Sequence, residues 1–272
     1  MNESEIIKSI NEIGIAKVEN FLDNENLNMV EKILSKQKSI KNSEDAFLYR
    51  SKGNFFLKKL LYFKFFKFIK CLKMTNLSKK LKLQELSRKI NGGQTKLVSI
   101  DSYYSKKSTN KVIDWHVDQA YSGKLNPTRI LDPDHTVIKF FVYLTDVGPD
   151  NGSLGYIPGS NKILYYLKLG IFNKDIKYKP YWRLEDLRNL IQENDYKNYL
   201  EAKIDKRFVS NFLEQSHFIT TDFQDTKKYD YELKKGDALI FDEAGVHRGA
   251  APEKNDRLVL RFVYKDINTP EN

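Results

Sequence analysis

The sequence predicts a mainly β fold with helical additions: a double-stranded β-helix of the jelly-roll, cupin-like kind, flanked by N-terminal helices and interrupted by a helical lid insertion. Three observations lead there. Near Lys96 the apolar period changes from helical spacing to two, the signature of half-buried strand. Beyond it, short apolar runs recur between Gly, Pro, Asn and Asp turns, at about 97–104, 113–118, 136–144, 153–157, 237–242 and 257–264. Many short strands punctuated this way suit two sheets that enclose a ligand cavity. Finally, nothing competes with that reading: Cys71 is the single cysteine, so no disulfide framework exists, and no apolar run approaches the ~20 residues that span a bilayer.

In chain order, residues 3–12 read as a short helix and Gly14 to Glu19 as a strand, and Asp23 can cap a second helix to about Lys38. A third helix is expected from Leu57 to Lys73, with Leu57, Leu61, Phe65, Phe68 and Leu72 on one stripe. Its opposite face carries Lys59, Lys67, Lys70 and Lys73 interleaved with Phe63 and Phe66. Lysine stems covering aromatic surface explain that face, and so does a surface for acidic lipid. Asn91-Gly92-Gly93 then breaks the helical pattern.

In Leu97 to Tyr104 the even positions Val98 and Ile100 are apolar. That parity predicts that Ser102 and Tyr104 face the interior as well. The run at 136–144 lacks alternation, as a strand covered on both faces should. Between Gly159-Ser160 and about Tyr229 lies an insertion of about 70 residues with helical patches, for example Leu184 to Ile191, and many tyrosines; an interruption this long is usually functional. It is expected to lid the pocket and set substrate choice. The whole, 1–272, reads as one domain: a helical scaffold at 1–96, a jelly-roll core at 97–161 and 230–265, and a lid at 162–229. The opening MNESEIIKSINEIG has no basic segment followed by an apolar one, which predicts a soluble, cytoplasmic protein.

The chemistry centres on Asp114-Trp115-His116-Val117-Asp118. At i and i+2 on a strand, His116 and Asp118 leave the same face. A second histidine from a distant strand, His247, completes a two-histidine, one-carboxylate face on a metal, which suits non-haem Fe(II) oxygenases. Trp115 should turn away from His116 into core. Gln119 and Tyr121 follow Asp118 into the mouth as candidate substrate contacts, and Asp242 is placed to orient a metal ligand. His135 and His217 read as surface or lid residues.

The ordered set of motifs adds to this: WHVD at 115–118, TVIKFFVYLTDV at 136–147, NGSLGYIPGSNK at 151–162, KKGDALIFDEAGVHRG at 234–249, and Arg257 ten residues past His247. That order resembles the phytanoyl-CoA dioxygenase family of Fe(II)- and 2-oxoglutarate-dependent oxygenases, closely over about 97–162 and 231–265 and loosely over the N-terminal third. The resemblance implies Fe(II), 2-oxoglutarate and O₂ as cofactor and co-substrates, and hydroxylation with release of succinate and CO₂. It also implies that Arg257 takes the far carboxylate of 2-oxoglutarate, by two parallel hydrogen bonds that a lysine cannot make. Arg261, of the same parity, is the reserve. Where many members carry a hydroxyl two positions after the distal histidine, this chain has Gly249; Tyr104 or Lys139 would then assist with the co-substrate. Asn161-Lys162 stands where the family has His-Lys. Because halogenating relatives carry Gly or Ala at the carboxylate position, Asp118 implies hydroxylation.

The formal net charge of +10 favours anionic partners. Together with the site it points to a small-molecule substrate, anionic or lipid-like, with peripheral membrane contact open and nucleic acid disfavoured. Two other classes compete: a metal-silent jelly-roll binding protein, and a membrane-surface or nucleic-acid-binding protein working through its basic helix. The triad and Arg257 argue against the first of these.

Overall fold

The computed structural model describes residues 2–34, 47–51, 65–118, 136–149, 151–220 and 228–267. The first helix, α1 (Glu3–Ile13), is fixed at both ends by local chemistry. Asn2 accepts from the Glu5 amide while Glu5 accepts from the Asn2 amide, and Gly14 closes the helix at φ 84°. There follow β1 (Ile15–Val18), α2 (Asn24–Leu34), β2 (Phe47–Arg50), α3 (Phe65–Lys80), α4 (Leu83–Asn91), β3 (Thr95–Ser105), β4 (Ile113–His116), β5 (Val137–Tyr143) and β6 (Leu154–Tyr156). The inserted stretch holds α5 (Ser160–Phe172), α6 (Leu184–Gln192), α7 (Asn194–Lys203) and α8 (Lys206–Thr220), before β7 (Ala238–Asp242), β8 (His247–Gly249) and β9 (Arg257–Asp266).

The strands form a larger sheet, ordered β1-β7-β5-β9-β3-β2, and a smaller one, ordered β4-β8-β6. Every ladder is antiparallel. The pleat then sorts the residues. Leu258, Leu260, Phe262 and Tyr264 of β9 join Phe140 and Val142 of β5 against the N-terminal helices. The alternate set faces the other way: Val259, Tyr143, Leu239 and Phe241 meet Leu154 and Tyr156 of the smaller sheet inside the barrel. Behind the smaller sheet, Trp115, Val117, Ile157 and Val246 pack on the inserted helices. Apolar side chains thus cover both faces of both sheets, which is why β5 lacks alternation.

Several expectations are corrected. β2 has no counterpart in the sequence reading, and of the four helices in the insertion, where helical patches were expected, only Leu184 to Ile191 was given bounds. In α3 the buried residues are Cys71, Met74, Leu77 and Ser78, while Leu72 is 39% exposed, so the expected stripe is rotated. Of that stripe, Leu57 and Leu61 lie outside the described residues, as do Lys59 and Phe63 and the side chains of Phe65, Phe66 and Lys67. The end of the second helix, from 35 to Lys38, lies outside them too. Among the described residues, no helix is long and apolar enough to cross a membrane.

Candidate metal centre

β4 and β8 pair so that His116 and His247 are direct antiparallel partners, with ring centroids 4.5 Å apart. The strand ends at His116, and the extended chain continues because the Val117 amide donates to the Trp182 carbonyl at 3.0 Å. Asp118 consequently still emerges beside His116, as the i, i+2 spacing predicts. Its Oδ1 lies 3.3 Å from His116 Nε2 and its Oδ2 lies 3.3 Å from His247 Nε2. One ligand atom from each residue falls within 4.8 Å of the others, and this is the group of such donors found among the described residues.

Both imidazoles are held the same way. His116 Nδ1 lies 2.6 Å from the Asp114 carbonyl and His247 Nδ1 lies 2.8 Å from the Gly245 carbonyl. A carbonyl only accepts, so each Nδ1 carries the proton between them, and Nε2 is the nitrogen turned toward Asp118. Tyr156 stacks on His247 at 6.5 Å and 17°, and its hydroxyl donates to the Asp242 carbonyl at 3.1 Å. The donor set therefore fits a three-ligand face on a divalent metal, with both rings oriented from behind.

Charge is arranged around the carboxylate. Buried Lys139 ion-pairs with Asp118 and, at 2.9 Å, with Glu243. Burial opposes ionisation of Asp118, but the Lys139 charge, the His247 charge and the hydrogen bonds from both histidines outweigh it and hold the carboxyl well below its ordinary range. For Lys139, burial again opposes the charge, and Glu243 and Asp118 overcome it. Sequence reasoning missed Glu243; its only signal was its place in the turn before His247.

Arg257 is buried on the inner face, its guanidinium 5.8 Å from the Tyr143 ring centre and its Nε without a hydrogen-bond partner. Gly152 makes the room: its φ is +72°, and a Cβ there would lie 2.8 Å from Arg257 Cδ. The reserve candidate Arg261 is already occupied. It donates to Asp101 at 2.8 and 3.0 Å and to the Tyr103 hydroxyl at 2.7 Å.

Tyr104 does not enter the pocket. It sits opposite Leu258 on the outer-face parity, and its hydroxyl is bonded to Asp256. The apolar parity of β3 follows the N-terminal helix core, so the inward tyrosine is its neighbour Tyr103. Lys139 does reach the site, but it engages Asp118. The Asp242 side chain caps the turn at Ala244, at 2.9 Å, and only its carbonyl serves the centre, through Tyr156. Trp115 faces away from His116, as expected. His217 lies 3.3 Å from Arg188, away from the centre. Gln119, Tyr121 and His135 lie outside the described residues.

Val112 and Ile113 occupy the space beside Gly249. A Cβ on Gly249 would approach Val112 Cβ to 3.0 Å and Ile113 Cγ2 to 3.4 Å. Gly249→Ser is therefore expected to destabilise the fold by the ~1 kcal/mol or more typical of overpacking, and so to lower the melting temperature. Pairing it with Val112→Ala should recover the loss, and thermal unfolding of the three proteins checks this.

Comparison with known proteins agrees with the geometry. The family model for phytanoyl-CoA dioxygenase (PhyH) matches residues 10–257, a span that contains His116, Asp118, His247 and Arg257. No curated protein sequence matches the chain. Among solved structures, iron-bound HygX from Streptomyces hygroscopicus aligns with TM-score 0.56 at 15% identity, over 97% of this chain and 86% of that one. AviO1 from Streptomyces viridochromogenes aligns with TM-score 0.53 at 13% identity, over 99% and 97%. SnoN, a non-haem α-ketoglutarate-dependent epimerase from nogalamycin biosynthesis, aligns with TM-score 0.53 at 12% identity, over 97% and 83%. At such identities these structures establish the jelly-roll fold, and the family match establishes the rest: the chain belongs to the phytanoyl-CoA dioxygenase (PhyH) family and is a 2-oxoglutarate-dependent non-haem iron enzyme.

Proposed function

We propose that the protein hydroxylates a small-molecule metabolite, with Fe(II) held by His116, Asp118 and His247, and releases succinate and CO₂. The observation that carries this is the triad itself: two imidazole nitrogens and a carboxylate oxygen within 4.8 Å of one another. Iron, when bound, supplies the O₂ chemistry, with 2-oxoglutarate as the two-electron reductant. The protein's share is positioning. Asp114 and Gly245 carbonyls fix the imidazoles, Lys139 holds Asp118 ionised while Glu243 helps keep Lys139 charged, and Arg257 receives the distal carboxylate of 2-oxoglutarate.

The rim supports a substrate with an apolar or ring-shaped body and a polar or anionic group. Trp182 is 39% exposed, with its ring 5.9 Å from that of His116. Arg183 lies 5.5 Å above the Trp182 ring. Tyr103, 41% exposed, is backed by Arg261 at 4.7 Å. Trp182 and Arg183 come from the inserted stretch, which we read as the lid. Small-molecule substrates accord with one HygX structure that contains hygromycin B.

Two experiments test this. Anaerobic addition of Fe(II) and then 2-oxoglutarate should produce a visible metal-to-ligand band. Incubation of cell extract with enzyme, Fe(II), 2-oxoglutarate and O₂ should then yield a metabolite heavier by one oxygen. Absence of the band would count against the metal centre. A product of unchanged mass would instead replace hydroxylation by an isomerisation of the kind the epimerase SnoN performs.

A further inference from the structure

The two histidines point into the barrel, so the residue beside each points out. Trp115 precedes His116 and Arg248 follows His247. Across the β4–β8 pair these two meet, with the guanidinium 5.1 Å from the Trp115 ring centre. Arg248 then forks onto Asp230, Nε donating to Oδ1 at 3.2 Å and Nη2 to Oδ2 at 2.7 Å. The Asp230 side chain is fully buried and that of Arg248 is 10% exposed.

Asp230 lies where the chain returns from the inserted helices, and it bridges to Gly155 of β6. Its neighbour Tyr229 sets its ring edge-on to Trp115, at 6.2 Å and 89°. A continuous set of contacts therefore runs from Asp230 over β6 and β8 to β4, along the back of the sheet that carries both histidines. Gly155 is the crossing point. A Cβ there would lie 2.6 Å from Asp230 Oδ1, 2.9 Å from Trp115 Cη2 and 3.1 Å from Arg248 Cγ. The glycine in Leu154-Gly155-Tyr156 is thus required by close approach.

A buried ion pair is a poor source of stability, because desolvation offsets its Coulomb attraction. A forked guanidinium–carboxylate contact does fix distance and direction. We propose that Trp115, Arg248 and Asp230 form a clamp, seated on Gly155, that positions His116 and His247 at ligand spacing and ties that spacing to the inserted helices. The clamp rests on the metal-centre reading above. Its members are positioning residues, since each acts through the strand that presents a histidine.

Co(II) serves as the probe, because its visible d–d absorption reports ligand geometry independently of turnover. Three proteins separate positioning from folding. Arg248→Lys keeps the buried charge pair but loses the fork. Gly155→Ala pushes into all three clamp members. The double change Arg248→Met with Asp230→Leu removes the pair without stranding either charge, an apolar replacement often neutral for stability. The folded variants, judged by far-UV circular dichroism, should bind Co(II) about 10- to 100-fold more weakly than wild type and show an altered d–d band. The proposal is overturned if Arg248→Lys and the double variant both keep wild-type affinity and band shape. Should Gly155→Ala and the double variant fail to fold, Arg248→Lys decides alone. Wild-type protein that bound no Co(II) would remove the metal-centre reading, and the clamp with it.

Discussion

Replacing His247 by Ala is expected to leave a folded protein that has lost Fe(II) binding and 2-oxoglutarate consumption together. The loss should exceed the ~100-fold ceiling typical of changes to outer-shell partners, because one of three ligands disappears. His116→Ala should match it. Folding should survive in each case, since both rings project into the barrel. Isothermal titration with a redox-inert divalent metal, and succinate release measured aerobically, check the two losses separately. Full activity in either variant would make the triad assignment wrong.

That site was legible because its geometry is local. His116 and Asp118 are two residues apart, and any extended chain puts them on one side. His247 needed only to arrive from another strand, and its pairing with His116 is a long-range fact consistent with the spacing of the motifs. The barrel was legible for a similar reason, through short strands and a change of period at Lys96. What failed were inferences from parity and from single partners. The alternation in β3 correctly marks two faces, but apolar residues cover both sides of that sheet, so the sequence could not say which side encloses the metal. Tyr104 was assigned to the wrong one. Arg261 and Lys139 looked available because their partners, Asp101, Asp118 and Glu243, come from elsewhere in the chain. Within the insertion the helical patches were expected but not delimited beyond Leu184 to Ile191; in α7 the buried face is only Tyr196 and Leu200, too short for a periodic signal to accumulate.

Arg257→Ala is expected to raise the 2-oxoglutarate requirement by about ten- to over a hundredfold, the ~1.5–3 kcal/mol of a charge-assisted contact. Metal affinity should be nearly unchanged. A second readout has the opposite sign. In the free protein Arg257 is buried with its Nε unpartnered, a desolvated donor that costs stability. Arg257→Met, which restores apolar volume, should therefore melt at a higher temperature than wild type without 2-oxoglutarate, and gain less on adding it. Saturation kinetics in 2-oxoglutarate, with melting curves at zero and saturating co-substrate, measure both. An unchanged 2-oxoglutarate dependence would move the role to Arg261, whose Asp101 pair would then have to open.

The position of β9 has a consequence for how the chain assembles. This strand pairs with β3 on one edge and with β5 on the other, Asp101 and Phe141 both facing Arg261. Until it is synthesised, the larger sheet exists only as two fragments, β2-β3 and β1-β7-β5, each with an open hydrogen-bonding edge. Such edges are templates for adhesion between chains, and closure between residues so far apart in sequence is slow. Nascent protein should therefore be at greatest risk of aggregation just before residues 257–266 leave the ribosome, and β9, on arriving, both seals the barrel and delivers Arg257 to it.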